Sequence, residues 1–167
     1  MIAIALACRP AVLLADEPAT ALDVSVQIQI LPLLRQLQRE LGMAVIFVTH
    51  DVGVAVEIAD RVAIMYAGRF VETAPTRAAI RSPRHAYTQG LLAATTRGAT
   101  RGQPLEATRG LPPDLGELAS GCSFALRCRH AAPECALGDP PAHRVARDHT
   151  ARCFRVADDS LAAVRPA

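Results

Sequence analysis

Residues 13–18 read Leu-Leu-Ala-Asp-Glu-Pro, and this stretch decides the fold because an apolar run leads directly into two carboxylates. The run begins at residue 11, and its continuous apolar character predicts a strand buried on both faces. Carboxylates are costly to bury, so their place at the end of a strand favours a functional edge of a parallel sheet. Asp16 is suited to hold Mg²⁺ and Glu17 to orient an attacking water. The alternative is that both acids only cap a helix.

A helix and a second strand follow. The apolar spacing over residues 24–41 predicts a helix that Asp23 caps and Gly42 ends. Residues 44–48 form another apolar run, and His50 follows it closely. Strand, helix and strand predict a βαβ unit with parallel strands, which places His50 beside the acid pair. A neutral histidine there can donate a hydrogen bond to a phosphate oxygen, although a purely structural histidine is the alternative.

The rest of the chain divides into shorter elements. Residues 52–59 predict a short helix, and residues 62–66 predict a third strand. Ala67-Gly68 predicts a hairpin at the edge of the sheet. Residues 97–121 are rich in glycine and proline and indicate a linker.

Composition excludes several classes of function. All 18 basic residues are arginine, so the chain holds neither a Walker-type phosphate loop nor a lysine Schiff base. Residues 1–72 carry a net charge of −3 and residues 73–167 a net charge of +5. The arginines are scattered and hardly interleaved with aromatic residues, which argues against a nucleic-acid partner. No stretch approaches the roughly 18 apolar residues of a membrane-spanning helix.

Five cysteines are present, and four of them lie near the end of the chain. Cys8 sits in an apolar stretch and is expected in a core. The others are Cys122, Cys128, Cys135 and Cys153. Their spacing is loose for a zinc ribbon, and a reducing compartment disfavours disulfides. Four thiolates in a loop-rich segment suit an iron–sulfur cluster or a tetrahedral metal, and reduced, metal-free cysteines are the alternative. We expect the four to converge, with three histidines as substitute ligands: His130, His143 and His149.

The order and spacing of these motifs resemble those of ABC-transporter ATPases from the first residue to about Glu72. Residues 13–18 and 21–23 resemble the Walker B strand and D-loop, and residues 48–51 resemble the switch-histidine loop. Residues 1–10 are similar to the helix after the ABC signature. Four further features resemble the oligopeptide/dipeptide importer group: residues 23–27, residues 65–69, residues 85–88 and the cysteine-bearing tail.

The resemblance implies roles for individual residues and the cofactors ATP and Mg²⁺. Asp16 would belong to the magnesium shell and Glu17 would be the catalytic base. Asp23 would lie in the D-loop at a dimer interface, and His50 would sense the γ-phosphate. The tail resembles a C-terminal extension that carries a 4Fe-4S cluster in some peptide-importer ATPases, with Zn²⁺ as the alternative occupant.

The resemblance also implies partners and a location. The partners would be a second ABC ATPase subunit, transmembrane permease subunits and, indirectly, a peptide-binding protein, with no nucleic acid. The chain would lie at the cytoplasmic face of the cell membrane, held there by the permeases. Two departures from the family pattern are Ala19, in place of a hydroxyl residue, and Ala86, in place of a proline.

The predicted fold class is α/β, the C-terminal part of a P-loop NTPase parallel sheet with flanking helices and a small cysteine-bearing extension. The chain has no counterpart of the Gly-rich loop, glutamine loop or signature, so it is expected to be inactive alone. The alternative hypothesis is an inactive remnant or a metal-binding or iron–sulfur-binding module. The predicted segments are a partial ATPase core (1–72), a helical segment (73–96), a linker (97–120), the cysteine-rich extension (121–155) and a tail (156–167).

Overall fold

The computed structural model describes residues 2–19, 22–95, 108–116, 118 and 120–156. The chain is mixed α/β, and it divides between Ala59 and Asp60 into two compact units. Most of the predicted linker and nearly all of the predicted tail lie outside the described residues. None of the described helices is both long enough and apolar enough to span a bilayer.

The first unit is the predicted βαβ arrangement with a short helix on either side. Its elements are α1 (Ile2–Leu6), β1 (Val12–Asp16), α2 (Val24–Leu41), β2 (Ala44–Val48) and α3 (Val52–Ile58). β1 and β2 are parallel, with Asp16 opposite Val48. The Asp23 carboxylate accepts a hydrogen bond of 2.9 Å from the Val26 N–H at the start of α2. Gly42 ends α2 with a φ of 62°, a conformation that glycine adopts without strain.

The core of this unit lies on one face of the two strands. Leu13, Leu34 and Met43 are buried together there. On the opposite face, Leu14 is 72% exposed. Three other strand residues on that face are also more than half exposed: Val12, Ile46 and Val48. The prediction that β1 is buried on both faces is therefore wrong for the described residues, because the helices of this unit pack against one face.

The second unit contains an antiparallel sheet. Its elements are β3 (Arg61–Tyr66), β4 (Arg69–Pro75), α4 (Thr76–Arg81), α5 (Ala86–Ala93), β5 (Ala142–Ala146) and β6 (His149–Arg152). The strand order is β3-β4-β6-β5. Ala67 and Gly68 join β3 to β4 with φ values of 48° and 75°, as a tight hairpin turn requires. The predicted hairpin is confirmed.

The hairpin lies at one end of this sheet, as predicted, with β3 as an edge strand, whereas β4 is paired on both sides. β4 pairs with β6, and Glu72 lies opposite Ala151. The cysteine-rich extension therefore supplies two strands, β5 and β6, that the sequence does not predict. Both strands are short and contain polar residues. The core of this unit is formed by Tyr66, Val71, Ala86, Phe124 and Cys153.

Candidate functional site

Glu17 and His50 meet at the carboxyl ends of the two parallel strands. Glu17 Oε1 lies 2.8 Å from His50 Nδ1 and accepts a second hydrogen bond, of 3.2 Å, from the His50 N–H. The side chains are 36% and 75% exposed, respectively. The structure thus brings together the acid and the histidine that the sequence placed at neighbouring strand ends, and leaves them accessible from solvent.

Glu17 takes an unusual backbone conformation. Its φ of 46° lies in the left-handed region, which residues other than glycine rarely adopt. Its N–H donates to the Val48 carbonyl at 3.0 Å, so the chain turns out of β1 while still bonded to β2. This turn carries the carboxylate past the sheet edge toward His50. Backbone strain of this kind is concentrated at functional sites.

The two side chains also affect each other electrostatically. The hydrogen bond to Glu17, followed by the negative charge of that carboxylate, raises the pKa of His50 above its ordinary value. The raised pKa favours a protonated ring, which has two N–H donors. Such a ring can exchange its carboxylate partner for another anion, such as a phosphate oxygen, because it is exposed.

The two other acids predicted for this site have different environments. Asp16 is exposed, and no hydrogen bond or ion pair joins its side chain to another described residue. Its oxygens are thus accessible to a cation such as Mg²⁺, which binds oxygen ligands. Asp23 uses its side chain to cap α2, as predicted. Its predicted role at a dimer interface stays a prediction.

A side chain of α2 hydrogen bonds the backbone on both sides of the loop after β1. Gln27 Nε2 donates to the carbonyl of Ala19 at 2.9 Å and to that of Leu22 at 3.3 Å. On the other side of the site, Asp51 caps α3 by accepting from the Gly53 N–H at 2.7 Å. The loops that carry the two strand ends are therefore each fixed by a side chain bonded to backbone groups.

The four cysteines of the tail line a single cavity. These are Cys122, Cys128, Cys135 and Cys153. The cavity has a volume of about 10 Å³, room for about one water molecule. His85, Phe124 and His130 complete part of its wall. The four cysteines thus surround one cavity, but their role as metal ligands stays a prediction. All five cysteines of the chain are free thiols. The expectation that Cys8 lies in a core is wrong, because the apolar stretch around it is mostly exposed.

Burial favours the protonated form of three of these thiols. It raises the pKa of Cys122 and Cys128, and it raises that of Cys153 to about 11. The other three cysteines add to the raised pKa of Cys153, which shows that the four groups act on one another. A bound cation would reverse this effect, since a coordinating thiol loses its proton.

The four thiols are suitable metal ligands in kind and number, but the structure does not hold them in a ligating arrangement. Four thiolates are the set that tetrahedral zinc or an iron–sulfur cluster takes. Within the described ranges, however, no three or more His, Cys, Asp or Glu side chains form a group that could hold a metal ion. Binding would thus require the thiols to approach one another. Of the three substitute ligands, His130 lines the cavity, whereas His149 bonds Glu72 instead.

The second unit contains a buried polar cluster that the sequence does not predict. Glu72 Oε1 lies 2.8 Å from His149 Nε2, and both side chains are at most 5% exposed. His85 is buried beside them, and its burial lowers its pKa to about 4, so the ring is neutral at pH 7. A glutamate in a hairpin strand and a histidine 77 residues later share no local pattern that could have predicted the pair.

Comparison with known proteins covers almost the whole chain. Residues 71–135 match the family described as oligopeptide/dipeptide transporter, C-terminal region. A peptide import ATP-binding protein of Brucella melitensis is 50% identical over 160 residues, which are 92% of this chain and 47% of that protein. The oligopeptide transport ATP-binding protein OppD of Salmonella typhimurium is 44% identical over 161 residues, covering 96% of this chain and 48% of that protein.

A dipeptide transport protein is similar to the same degree. The dipeptide transport ATP-binding protein DppD of Bacillus subtilis is 43% identical over 154 residues, which are 92% of this chain and 46% of that protein. The chain spans about half the length of the curated relatives it matches. These matches do not support the alternative of an inactive remnant or a stand-alone metal module. Over about half of their length, the ATP-binding proteins of peptide, oligopeptide and dipeptide transporters are thus similar to this chain, and its residues 71–135 match the C-terminal region described for oligopeptide/dipeptide transporters.

Proposed function

We propose that this chain forms part of the ATP-hydrolysing subunit of a peptide importer. The observation that carries the proposal is the exposed contact of 2.8 Å between Glu17 Oε1 and His50 Nδ1 at the ends of two parallel strands. Ligands bind at this edge of open α/β sheets. The names of the relatives, which refer to peptide, oligopeptide and dipeptide transport, support a peptide as the cargo.

Each residue at the strand ends has a task in hydrolysis. Asp16 offers an exposed carboxylate to Mg²⁺, which neutralises charge on the phosphates when it is bound. Glu17 accepts a proton from the attacking water. His50 donates a hydrogen bond to a phosphate oxygen and thereby gives up its bond to Glu17. The exposure of the pair supports this exchange, because neither ring nor carboxylate has to leave a buried position.

The first unit would be one part of a larger parallel sheet of the P-loop type. Its apolar face at Leu14 is exposed, and strands of parallel sheets are normally covered on both faces. The relatives are about twice as long as the segment matched here. We propose that the region of an ABC ATP-binding subunit without a counterpart in this chain covers that face and supplies the phosphate-binding loop.

A role in an ATP-hydrolysing subunit also implies partner proteins. Asp23 would contact a second ATP-binding subunit, and transmembrane permeases would hold the assembly at the cytoplasmic face of the membrane. A peptide-binding protein would act indirectly, through the permeases. The chain alone would bind ATP weakly and hydrolyse none, since it has no lysine for a phosphate loop. Micromolar ATP affinity of the isolated chain, measured by calorimetry, would contradict this part of the proposal.

The test of the catalytic assignment is a reconstituted subunit. The chain is co-expressed with the complementary half of a relative, and ATP turnover and ATP binding are measured. Glu17→Gln is expected to abolish turnover while ATP binding persists, because only the base is lost. His50→Ala should behave similarly. The matched control is Glu40→Gln, on exposed α2 surface, which should keep normal turnover. Unchanged turnover in Glu17→Gln would remove Glu17 from the catalytic residues.

A second function is supported by the cysteine cavity. We propose that Cys122, Cys128, Cys135 and Cys153 bind a 4Fe-4S cluster, with zinc as the alternative occupant. The convergence of four thiols on one cavity is the observation in favour. A metal held there would cross-link Cys153, after β6, to the segment that carries the other three cysteines.

Metal analysis of anaerobically purified chain distinguishes the two occupants. A cluster gives brown protein with equal iron and sulfide, and each of the four Cys→Ser variants should lose most of the iron. Cys8→Ser is the matched control, since Cys8 is exposed and lies in the first unit, and it should keep the iron. One zinc per chain would assign zinc instead. An ordered tail without any metal would contradict both assignments.

A further inference from the structure

We propose that Glu72 and His85 are positioning residues that set the place of Cys153 in the four-cysteine centre. The inference rests on the proposed metal centre. Both residues are buried and lie outside the cysteine-rich extension, and neither takes part in the proposed ATPase chemistry.

Glu72 joins three separate parts of the second unit. Its Oε1 accepts from the Arg84 N–H and from His149 Nε2, both at 2.8 Å, and its Oε2 accepts from the His85 N–H at 2.9 Å. The carboxylate is completely buried. It therefore fixes the start of α5 and the start of β6 to the same point on β4. Buried carboxylates with several donors hold their surroundings in one arrangement.

His85 continues this network to the cysteine cavity. Its Nδ1 accepts from the Tyr87 N–H at 3.0 Å, so the ring hydrogen is on Nε2. The ring also hydrogen bonds the backbone of Arg152, the residue directly before Cys153. The same ring lines the cavity. His85 thus contacts the chain on the N-terminal side of the last cysteine.

The other three cysteines are positioned in a different way. They lie within residues 122–135, where the Cys122 N–H donates to the Cys135 carbonyl at 2.8 Å and the Cys128 N–H donates to the Ala125 carbonyl at 3.2 Å. These are local bonds inside the cysteine segment. Cys153 instead follows β6, which pairs with β4. The spacing between the fourth thiol and the first three is therefore set through Glu72 and His85. Bonds of this supporting kind orient metal ligands and affect the affinity of the site for its metal.

The experiment uses Co²⁺ as a spectroscopic probe of thiolate ligation in the reduced full chain. His85→Asn keeps a cap acceptor for the Tyr87 N–H but is too short to reach Arg152. It should give the spectrum of Cys153→Ser, with roughly three quarters of the wild-type charge-transfer absorbance, since one thiolate of four is lost. His85→Gln extends its amide toward the Nε2 position and should restore the wild-type spectrum. Arg144→Gln, at an exposed position of β5 away from the cavity lining, is the control and should leave the spectrum unchanged.

The outcomes separate the inference from the function on which it rests. Wild-type chain that binds Co²⁺ without thiolate charge-transfer bands would contradict the metal centre, and the inference with it. A four-thiolate spectrum in folded His85→Asn would overturn the inference alone and leave the metal centre in place. Circular dichroism reports whether His85→Asn is folded. If it is not, His85→Gln decides, because a spectrum like that of Cys153→Ser would then overturn the positioning role.

Discussion

Among the residues that the structure describes, two glutamate–histidine pairs occur, one in each unit, and they have the same contact distance but opposite surroundings. Glu17–His50 and Glu72–His149 each join a carboxylate oxygen to a ring nitrogen at 2.8 Å. In the first pair the histidine is 75% exposed, and in the second pair it is 5% exposed. The contact distance alone therefore does not distinguish a reactive pair from a structural one. Burial and the number of further partners do.

The two carboxylates differ in whether solvent can replace a hydrogen bond that they lose. Glu17 can exchange His50 for a water or another ligand, because solvent replaces the lost bond. Glu72 has no such replacement, since its side chain is completely buried and also accepts from the backbone N–H groups of Arg84 and His85. The exposed pair is suited to chemistry and the buried pair to holding three segments together.

Removal of each glutamate should give the largest contrast between the pairs. We expect Glu72→Ala to lower the free energy of unfolding by about 3 kcal/mol, because three donors lose an acceptor that is itself completely buried. Glu17→Ala serves as the control and should produce no measurable change. Urea denaturation of both variants measures the difference. Equal destabilisation by the two substitutions would contradict the distinction.

Double-mutant cycles should show a smaller but more specific contrast. We expect Glu72 and His149 to have a coupling free energy of about 1–2 kcal/mol, since the pair is in direct buried contact. The cycle on Glu17 and His50 should give no coupling above the error of the method. A coupling in the exposed pair as large as that in the buried pair would show that exposure does not weaken it.

The pH dependence of the exposed pair should be smaller still and is best measured on His50 itself. Because Glu17 raises the pKa of His50, the Glu17→Gln variant should show a lower His50 pKa by NMR titration. The sign for stability follows from linkage. The contribution of a raised histidine pKa is fully present below the pKa of the unfolded chain and is lost as pH rises through the folded value. An unchanged His50 pKa in Glu17→Gln would mean that the pair does not form in solution.

Added salt should produce the smallest effect. Raising the ionic strength from about 0.05 M to about 0.5 M screens exposed charges, so the pKa of His50 should fall slightly toward its ordinary value. The destabilisation caused by Glu72→Ala should be the same at both salt concentrations, because its partners are buried. A strong salt dependence of that destabilisation would indicate that water reaches Glu72.

What the sequence could predict was mostly local. The bounds of α2, its cap at Asp23 and its end at Gly42 follow from spacing and capping chemistry within one segment, and the structure confirms them. The meeting of Glu17 with His50 follows from one further rule, that a βαβ unit makes its strands parallel. Apart from the parallel pairing of β1 with β2, these predictions depend only on neighbouring residues in the sequence.

The missed features all depend on distant pairing. β6 is four residues long and could not be recognised until β4 was available as its partner. The sequence predicts His149 as a substitute metal ligand, whereas the structure joins it to Glu72 because the pairing of β4 with β6 brings the two together. The convergence of the four cysteines was predictable from their number and from the shortage of apolar residues, but the support from His85 was not.

During synthesis of the chain, β4 is complete well before its partner β6. Glu72 and His149 are 77 residues apart, and at roughly 5–20 residues per second a ribosome needs about 4–15 s to make that length. During those seconds the hairpin exists without β6, so one edge of β4 presents unpaired backbone groups to other chains. The yield of native protein should therefore depend on what shields that edge meanwhile, whether a holding chaperone or a low concentration of neighbouring nascent chains.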